Sequence, residues 1–313
     1  MVLDYRIDVL QAYFGVPHSR MPEIVAISRS LSSILGRMSM MSYKWRTDGA
    51  EHTFQLVQVQ GTSGKPFLFG REPNRRPINI REFYISTTPV TQALWLHVMG
   101  SNPAKYSGIR CPVENVSWKH ITEPGGFLER INASEILATV NEGDPQMRFR
   151  LPSETEWEYA ARGGPDWQDD FIYSGSNNVK EVAWYGPHWT RKHNLVTRLF
   201  GPRLGWRLAG RNRFFKRRTR THEVAMKAPN QLGIYDMSGN VFEWCQDICT
   251  DDLNAVPADG SPYPGPGDER RLRGGCHTNW NLFCTVSWRY GIEPDAHDNC
   301  LGFRVVLARQ WDG

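Results

Sequence analysis

No run of about 18 uninterrupted apolar residues occurs in the 313-residue chain, so no helix able to span a bilayer is expected, and no membrane partner. Nothing at the start reads as a secretory leader. Asp4, Arg6 and Asp8 stand where a basic segment and an apolar segment would be needed. These two absences point to the cytoplasm. Cysteine is scarce, six residues in all, and a cytoplasmic chain of this length does not depend on disulfides. Cys245 and Cys249 are four apart, yet no second Cys or His pair stands at zinc-site spacing beside them, and free thiols are expected. Lysine is much rarer than arginine, and the formal net charge is only +4, so the basic excess is local. It gathers in one run, Arg211 to Arg220. Without a helix-turn-helix, zinc-finger or RNA-binding-sheet motif, that run reads as a solvated insertion loop, and nucleic acid is not an expected partner.

What is present is the composition of a soluble globular protein, 40% hydrophobic and 22% charged, in a chain long enough for one large domain or two ordinary ones. Residues 1–50 differ from the rest. Tyr5 to Phe14 and Met21 to Met41 have helical apolar spacing, with Ile24, Ile27, Leu31, Ile34 and Leu35 on one face. From Phe54 onward short strands and turns take over. Phe54 to Val59 and Phe67 to Gly70 read as a hairpin split by Gly61-Thr-Ser-Gly64, and Phe83 to Ser86 as a further strand. Thr91 to Met99 reads as a helix ended by Gly100. Ser153 to Arg162 is a second helix, with Ser153 as N-cap, Glu156 at the capping-box position and Gly163-Gly164 as its stop. Strands return at Arg271 to Arg273 and at Gly302 to Leu307. Trp118, Trp157 and Trp244 are expected to fill the core. The class this implies is α+β with little regular secondary structure and an N-terminal helical extension.

Several segments in one order resemble the formylglycine-generating enzyme (sulfatase-modifying factor) domain family. They are Phe83 to Gln92, Asn102-Pro103, Pro112 to Trp118, Arg150 to Gly163, Pro229 to Cys245, Leu272-Arg-Gly-Gly275 and Gly302-Phe-Arg304. The resemblance implies a C-type-lectin-like fold of the formylglycine-generating-enzyme variety over residues 51–313, with residues 1–50 outside it. The family's enzymes bind copper(I) through two cysteines placed after a Gly-Gly turn, a pairing that suits a soft metal. By position the second matches Cys284, but the first matches Asn279, which has no thiolate. Copper and cysteine-oxidising activity are therefore not expected, and Cys284 reads as a buried structural thiol. The family also holds calcium in the stretch after the Asn-Gln-Leu-Gly turn. Carried over by position, the ligands are the side chains of Asp236 and Glu243 and the carbonyls of Gly239 and Val241. The alternative is that Asp236 and Glu243 hydrogen-bond this loop without a metal.

Residues 271–304 are also similar to the variable segment of proteins diversified by retroelements, which share this fold variety. In those proteins mutation of template adenines turns Asn codons ending in C into any codon ending in C, a set without Trp, Lys, Glu, Met or Gln. Between the fixed-looking islands Trp280, Cys284 to Tyr290 and Glu293 to Asp295 lie fifteen positions that all belong to that set. They are Cys276, His277, Thr278, Asn279, Asn281, Leu282 and Phe283, then Gly291 and Ile292, then Ala296, His297, Asp298, Asn299, Cys300 and Leu301. Mixed aromatic and polar side chains on loops suit a recognition surface. No acid/base or nucleophile arrangement is evident among them, and the spacing of His277, His297, Asp298 and Cys300 matches no metal motif. The expected function is ligand binding, with a protein as the ligand. The alternatives are a copper-dependent oxidase acting on protein cysteine and a non-catalytic structural or regulatory relative of that enzyme.

Overall fold

The computed structural model of the protein describes residues 39–47, 49–141, 143–186 and 219–311. The two expected N-terminal helices, up to residue 38, and the basic run, up to residue 218, lie outside the described residues. Strand β1, Met40–Thr47, opens the described chain, and the compact unit begins at Met40. Met40 and Met41, the end of the segment with helical spacing, thus lie in a strand. Met41, Tyr43 and Trp45 face the core and alternate with exposed Met40, Ser42 and Lys44, a period of two that only a strand can bury. Strand β1 pairs antiparallel with β2, Ala50–Val59, in the register Met40 to Val57 and Thr47 to Ala50.

The expected hairpin across Gly61 to Gly64 does not form. Strand β2 pairs instead with β5, Phe83–Ser86, while β3, Phe67–Phe69, pairs with β4, Arg76–Ile78. At Gly61 the backbone runs hard against residue 80, where a Cβ would sit 2.6 Å from the Ile80 carbonyl oxygen, and Thr62 N–H donates to that carbonyl. The turn therefore serves a non-local contact, which local turn chemistry cannot reveal.

Strand β11, Val306–Arg309, lies between β5 and β6, Met147–Arg150, and the antiparallel order of the large sheet is β1-β2-β5-β11-β6. A smaller sheet holds, in order, residues 301–302, 242–248, 270–273 and 290–292. Its strands are β7, Phe242–Ile248, β8, Arg270–Arg273, β9, Tyr290–Ile292, and β10, Leu301–Gly302, which pairs parallel with β7. The expected strand over Gly302 to Leu307 is thus split between two sheets.

Helix α1, Gln92–Met99, is capped by the Thr91 hydroxyl, which accepts from Leu94 N–H, and ends at left-handed Gly100. Helices α2, Trp118–Thr122, α3, Phe127–Asn132, and α4, Glu135–Val140, are short and follow one another. Trp95 stacks on Phe127 with ring centroids 5.3 Å apart, and Phe303 meets Phe127 edge-on at 5.1 Å, which ties the helices to the chain between the two sheets. Trp157 and Trp244 are fully buried as expected, whereas Trp118 is half-buried.

Helix α5, Glu154–Ala161, carries the expected capping box between Ser153 and Glu156, and all eight of its residues are buried. Three glutamates inside a buried helix need partners, because an unpaired buried charge is costly. Each has arginines. Glu156 takes a two-pronged bond from Arg150 at 2.7 and 2.8 Å. Glu158 takes Arg162 at 3.0 Å and also Arg273. Glu154 takes Arg289 at 2.6 and 2.7 Å and Arg271 at 3.1 Å. Residues two apart on a strand and four apart on a helix are spaced alike, roughly 6–7 Å, so Arg271 and Arg273 on β8 can answer Glu154 and Glu158 on α5. Burial would raise the Glu154 carboxyl, but Arg271, Arg289 and Arg273 hold it down at about 2. Burial pushes Asp247 up to about 7, helped by the charge of Glu154 and opposed by the N–H groups of Tyr263 and Glu154.

Candidate functional site

Strand β8 leads directly into the segment that the sequence marks out. Gly274 and Gly275 both have positive φ, 88° and 72°, and a Cβ on Gly275 would lie 2.7 Å from the Phe283 carbonyl oxygen. The chain then loops to β9, returns through Ala296 to Asn299, and re-enters the frame at β10 and Arg304. Arg304 closes the exit. Its guanidinium spans the buried Glu243 carboxylate at 2.6 and 2.8 Å and donates to the Ser86 and Tyr235 carbonyls.

The fifteen expected positions do not form one uniform surface. Thr278, Leu282 and His297 are exposed, and Asn281, Phe283, Gly291, Ile292, Ala296, Asp298 and Asn299 are partly so. Cys276, His277, Asn279, Cys300 and Leu301 are buried, which corrects the reading of every position as a direct contact residue. The structure brings Cys276, His277, Thr278, Asn299 and Cys300 together. Cys276 Sγ and Cys300 Sγ are 2.8 Å apart, and the Thr278 hydroxyl lies 3.1 and 3.2 Å from the two sulfurs. Asn299 Nδ2 reaches Tyr106 OH at 3.3 Å, and Tyr106 meets the His277 ring edge-on at 5.7 Å. Asn281, Leu282 and Phe283 instead form a 3-10 turn with Cys284, where Asn281 donates to Tyr173 OH and Phe283 packs edge-on against Trp288. Gly291 and Ile292 belong to β9, paired with β8. His297 lies beside His120, ring centroids 5.8 Å apart.

Two residues outside the expected set organise the cluster. Asn240, at φ 63°, exchanges two bonds with the His222 backbone at 3.0 and 3.1 Å, and its carbonyl accepts from His277 N–H at 2.9 Å. The same carbonyl lies 3.0 Å from His277 Nδ1, so that nitrogen carries the proton. Burial depresses the His277 imidazolium to about 4, against the opposing pull of the Asn240 carbonyl. Tyr106 is the second residue. The Ser-Gly-Asn turn could have flagged Asn240, whereas Tyr106 sits in a loop with no local signal.

Asn279 fills the place of the family's first copper thiolate. Its side-chain oxygen accepts from Cys276 N–H at 2.9 Å, and its own N–H donates to the Cys276 carbonyl. Asn279 thus tightens the turn, and Cys284 is fully buried, so the family's two-thiolate copper set does not fit here. The expected calcium set does not fit either. The Glu243 carboxylate is taken up by Arg304 and by Trp157 Nε1 at 2.6 Å. Asp236 accepts from Ala225 N–H at 2.8 Å and faces Asn240 Nδ2, and burial pushes its carboxyl up to about 6. A hard cation needs carboxylate oxygens turned toward it, and these are turned toward protein donors.

The profile of the sulfatase-modifying factor enzyme 1-like domain matches residues 48–309. The chain is 38% identical over 191 residues to the chaperone protein LppX of Paenibacillus barcinonensis, covering 54% of this chain and 63% of that protein. It is 28% identical over 229 residues to the formylglycine-generating enzyme of Streptomyces coelicolor, covering 68% and 60%. The chain thus spans about three fifths of the length of these curated relatives. Among solved structures it is similar to Treponema denticola variable protein 1, with a TM-score of 0.62 and 26% identity over 86% of this chain and 99% of that one. PvdO from Pseudomonas aeruginosa has the same fold, with a TM-score of 0.58 and 21% identity over 85% and 97%. Among the described residues no helix is long and apolar enough to cross a membrane.

Proposed function

The chain belongs to the sulfatase-modifying factor enzyme 1-like family and has a C-type-lectin-like fold; from that premise we propose that it is a ligand-binding protein that displays diversified side chains between Gly275 and Gly302. The observation that carries this reading is the division of labour along the segment. Its two ends are clamped by buried arginines, Arg271 and Arg273 before it and Arg304 after it, while ten of the fifteen positions between are at least partly exposed. A frame held by fixed ion pairs tolerates exchange of the loop side chains it carries. Similarity to a variable protein over nearly its whole length supports the same reading. The ligand is a protein surface, since Leu282, Phe283, Ile292, His297 and Asn281 offer the mixture of apolar, aromatic and polar groups that such interfaces use. The protein works in the cytoplasm.

Comparison of sibling gene copies tests this. They should differ at the fifteen positions and hardly elsewhere, beside an adenine-rich near-copy of the codons for residues 271–304. Differences scattered evenly over residues 54–270 would overturn the proposal. The second reading, a copper-dependent oxidase of protein cysteine, is favoured by the relatives named formylglycine-generating enzyme and by retention of Cys284. Stoichiometric copper(I) binding that disappears in Cys284→Ser would establish it instead.

A further inference from the structure

Five of the fifteen positions are buried and cannot touch a partner directly, and three of them are chemically alike. Cys276 Sγ, Cys300 Sγ and one ring nitrogen of His277 all lie within 4.8 Å of one another, and all three residues are buried. The sulfurs come from opposite ends of the displayed segment, 24 residues apart, so the fold gathers them rather than a local motif.

We propose that Cys276, His277 and Cys300 form a zinc site. Three features of the geometry support it. Sulfur and imidazole nitrogen are the donors that zinc takes. The His277 ring gives its Nδ1–H to a backbone carbonyl, that of Asn240, as a metal-binding imidazole usually does, and Nε2, 3.5 Å from Asn299 Nδ2, holds the lone pair that a metal would take in place of that amide. The charge also balances. Two thiolates and one Zn²⁺ sum to zero, which suits a buried setting. Zinc–sulfur bonds of about 2.3 Å at a tetrahedral angle place two sulfurs about 3.8 Å apart. From 2.8 Å the pair opens by roughly 1 Å, within the reach of small side-chain rotations. Thr278, whose hydroxyl touches both sulfurs, is exposed, so the site lies just beneath the surface. The site lies three residues before the position of the family's first copper thiolate and does not use Cys284. It does not depend on whether these positions vary among siblings.

The test is titration of the fully reduced full-length protein with Zn²⁺ against a chromophoric chelator, repeated with Co²⁺. One equivalent should bind per chain, and cobalt should give thiolate charge-transfer absorption together with tetrahedral ligand-field bands. Cys276→Ser, Cys300→Ser and His277→Gln should each weaken binding by more than about 100-fold, beyond what loss of an outer partner usually does. Cys284→Ser should leave it unchanged. Thermal melts of the metal-free variants separate loss of a ligand from loss of the fold. Absence of stoichiometric binding in the reduced wild-type protein would overturn the proposal. So would binding that survives both serine variants, or isolation of the chain from reducing cells with Cys276 and Cys300 already joined in a disulfide.

Discussion

Helix α5 with its arginines and the loops between Gly275 and Gly302 are neighbours built on opposite terms. In the helix all three glutamates are buried and each is matched to named arginines. In the loops the groups are mostly neutral, many are open to solvent, and the turns are held by backbone and amide bonds such as those of Asn279 and Asn240. Charged pairs fix direction and separation and fail when one member is removed. Neutral loop groups can be exchanged one at a time. The contrast sets a frame of matched ion pairs beside loops of mostly neutral, partly exposed groups only a few residues away.

The harshest way to break the comparison is to open one buried pair. Glu243→Ala leaves Arg304 buried without its carboxylate and Trp157 Nε1 without an acceptor. The expected loss is about 3–5 kcal/mol of folding stability, read by chemical denaturation. A loss below about 1 kcal/mol would show that the frame is not clamped at its exit.

A gentler probe is pH, because the frame contains carboxyls pushed in opposite directions. Glu154 is held near 2, below its unfolded range, so its contribution is complete above about pH 4.5 and disappears as pH falls toward 2, about 3 kcal/mol in all. Asp247 is pushed up to about 7, so the native state holds its proton more tightly than the unfolded chain does. Its contribution is present at low pH and is lost as pH rises from about 4 to 7. Asp236, raised to about 6, adds a loss of the same sense, whereas His277, held down at about 4, adds a gain as pH rises toward 6.5. The Asp247 contribution is therefore read in thermal melts as the difference between wild type and Asp247→Asn, which should shrink as pH rises from about 4 to 7. Parallel wild-type and Asp247→Asn curves between pH 4 and 7 would refute this assignment.

The smallest effect sharpens the other side. Leu282→Ala and His297→Ala lie at exposed loop positions and should each change stability by no more than about 0.5 kcal/mol. If either cost several kcal/mol, the displayed positions would belong to the frame.

What could be read from the sequence follows the range of each interaction. Ser153 with Glu156, and Thr91 with Gly100, are caps made within one turn, and both helices appear where those residues place them. The order of family segments made the α+β, lectin-like architecture legible. The strand Met40 to Thr47 is hidden because helical spacing runs on to Met41 and the alternation after it is short, and only pairing with residues 50–57 reveals it. The site divides in the same way. Its position after Gly274-Gly275 was legible, and so was the mismatch at Asn279. The meeting of Cys276 with Cys300 was not, since nothing local in either neighbourhood points across 24 residues to the other. The partners of Glu243 were hidden for the same reason, because Trp157 and Arg304 are far away along the chain.

Strand β11 has a genetic consequence. It lies after the displayed segment in the chain, yet it occupies the space between β5 and β6 inside the large sheet. A stop codon or frameshift anywhere in the codons for residues 276–305 deletes or scrambles it and leaves two open strand edges where the sheet should be continuous. Such a product cannot complete its fold and is cleared as an unfolded chain. Only a message read in frame through the whole segment yields the complete sheet, so the fold itself checks the reading frame of the stretch before it.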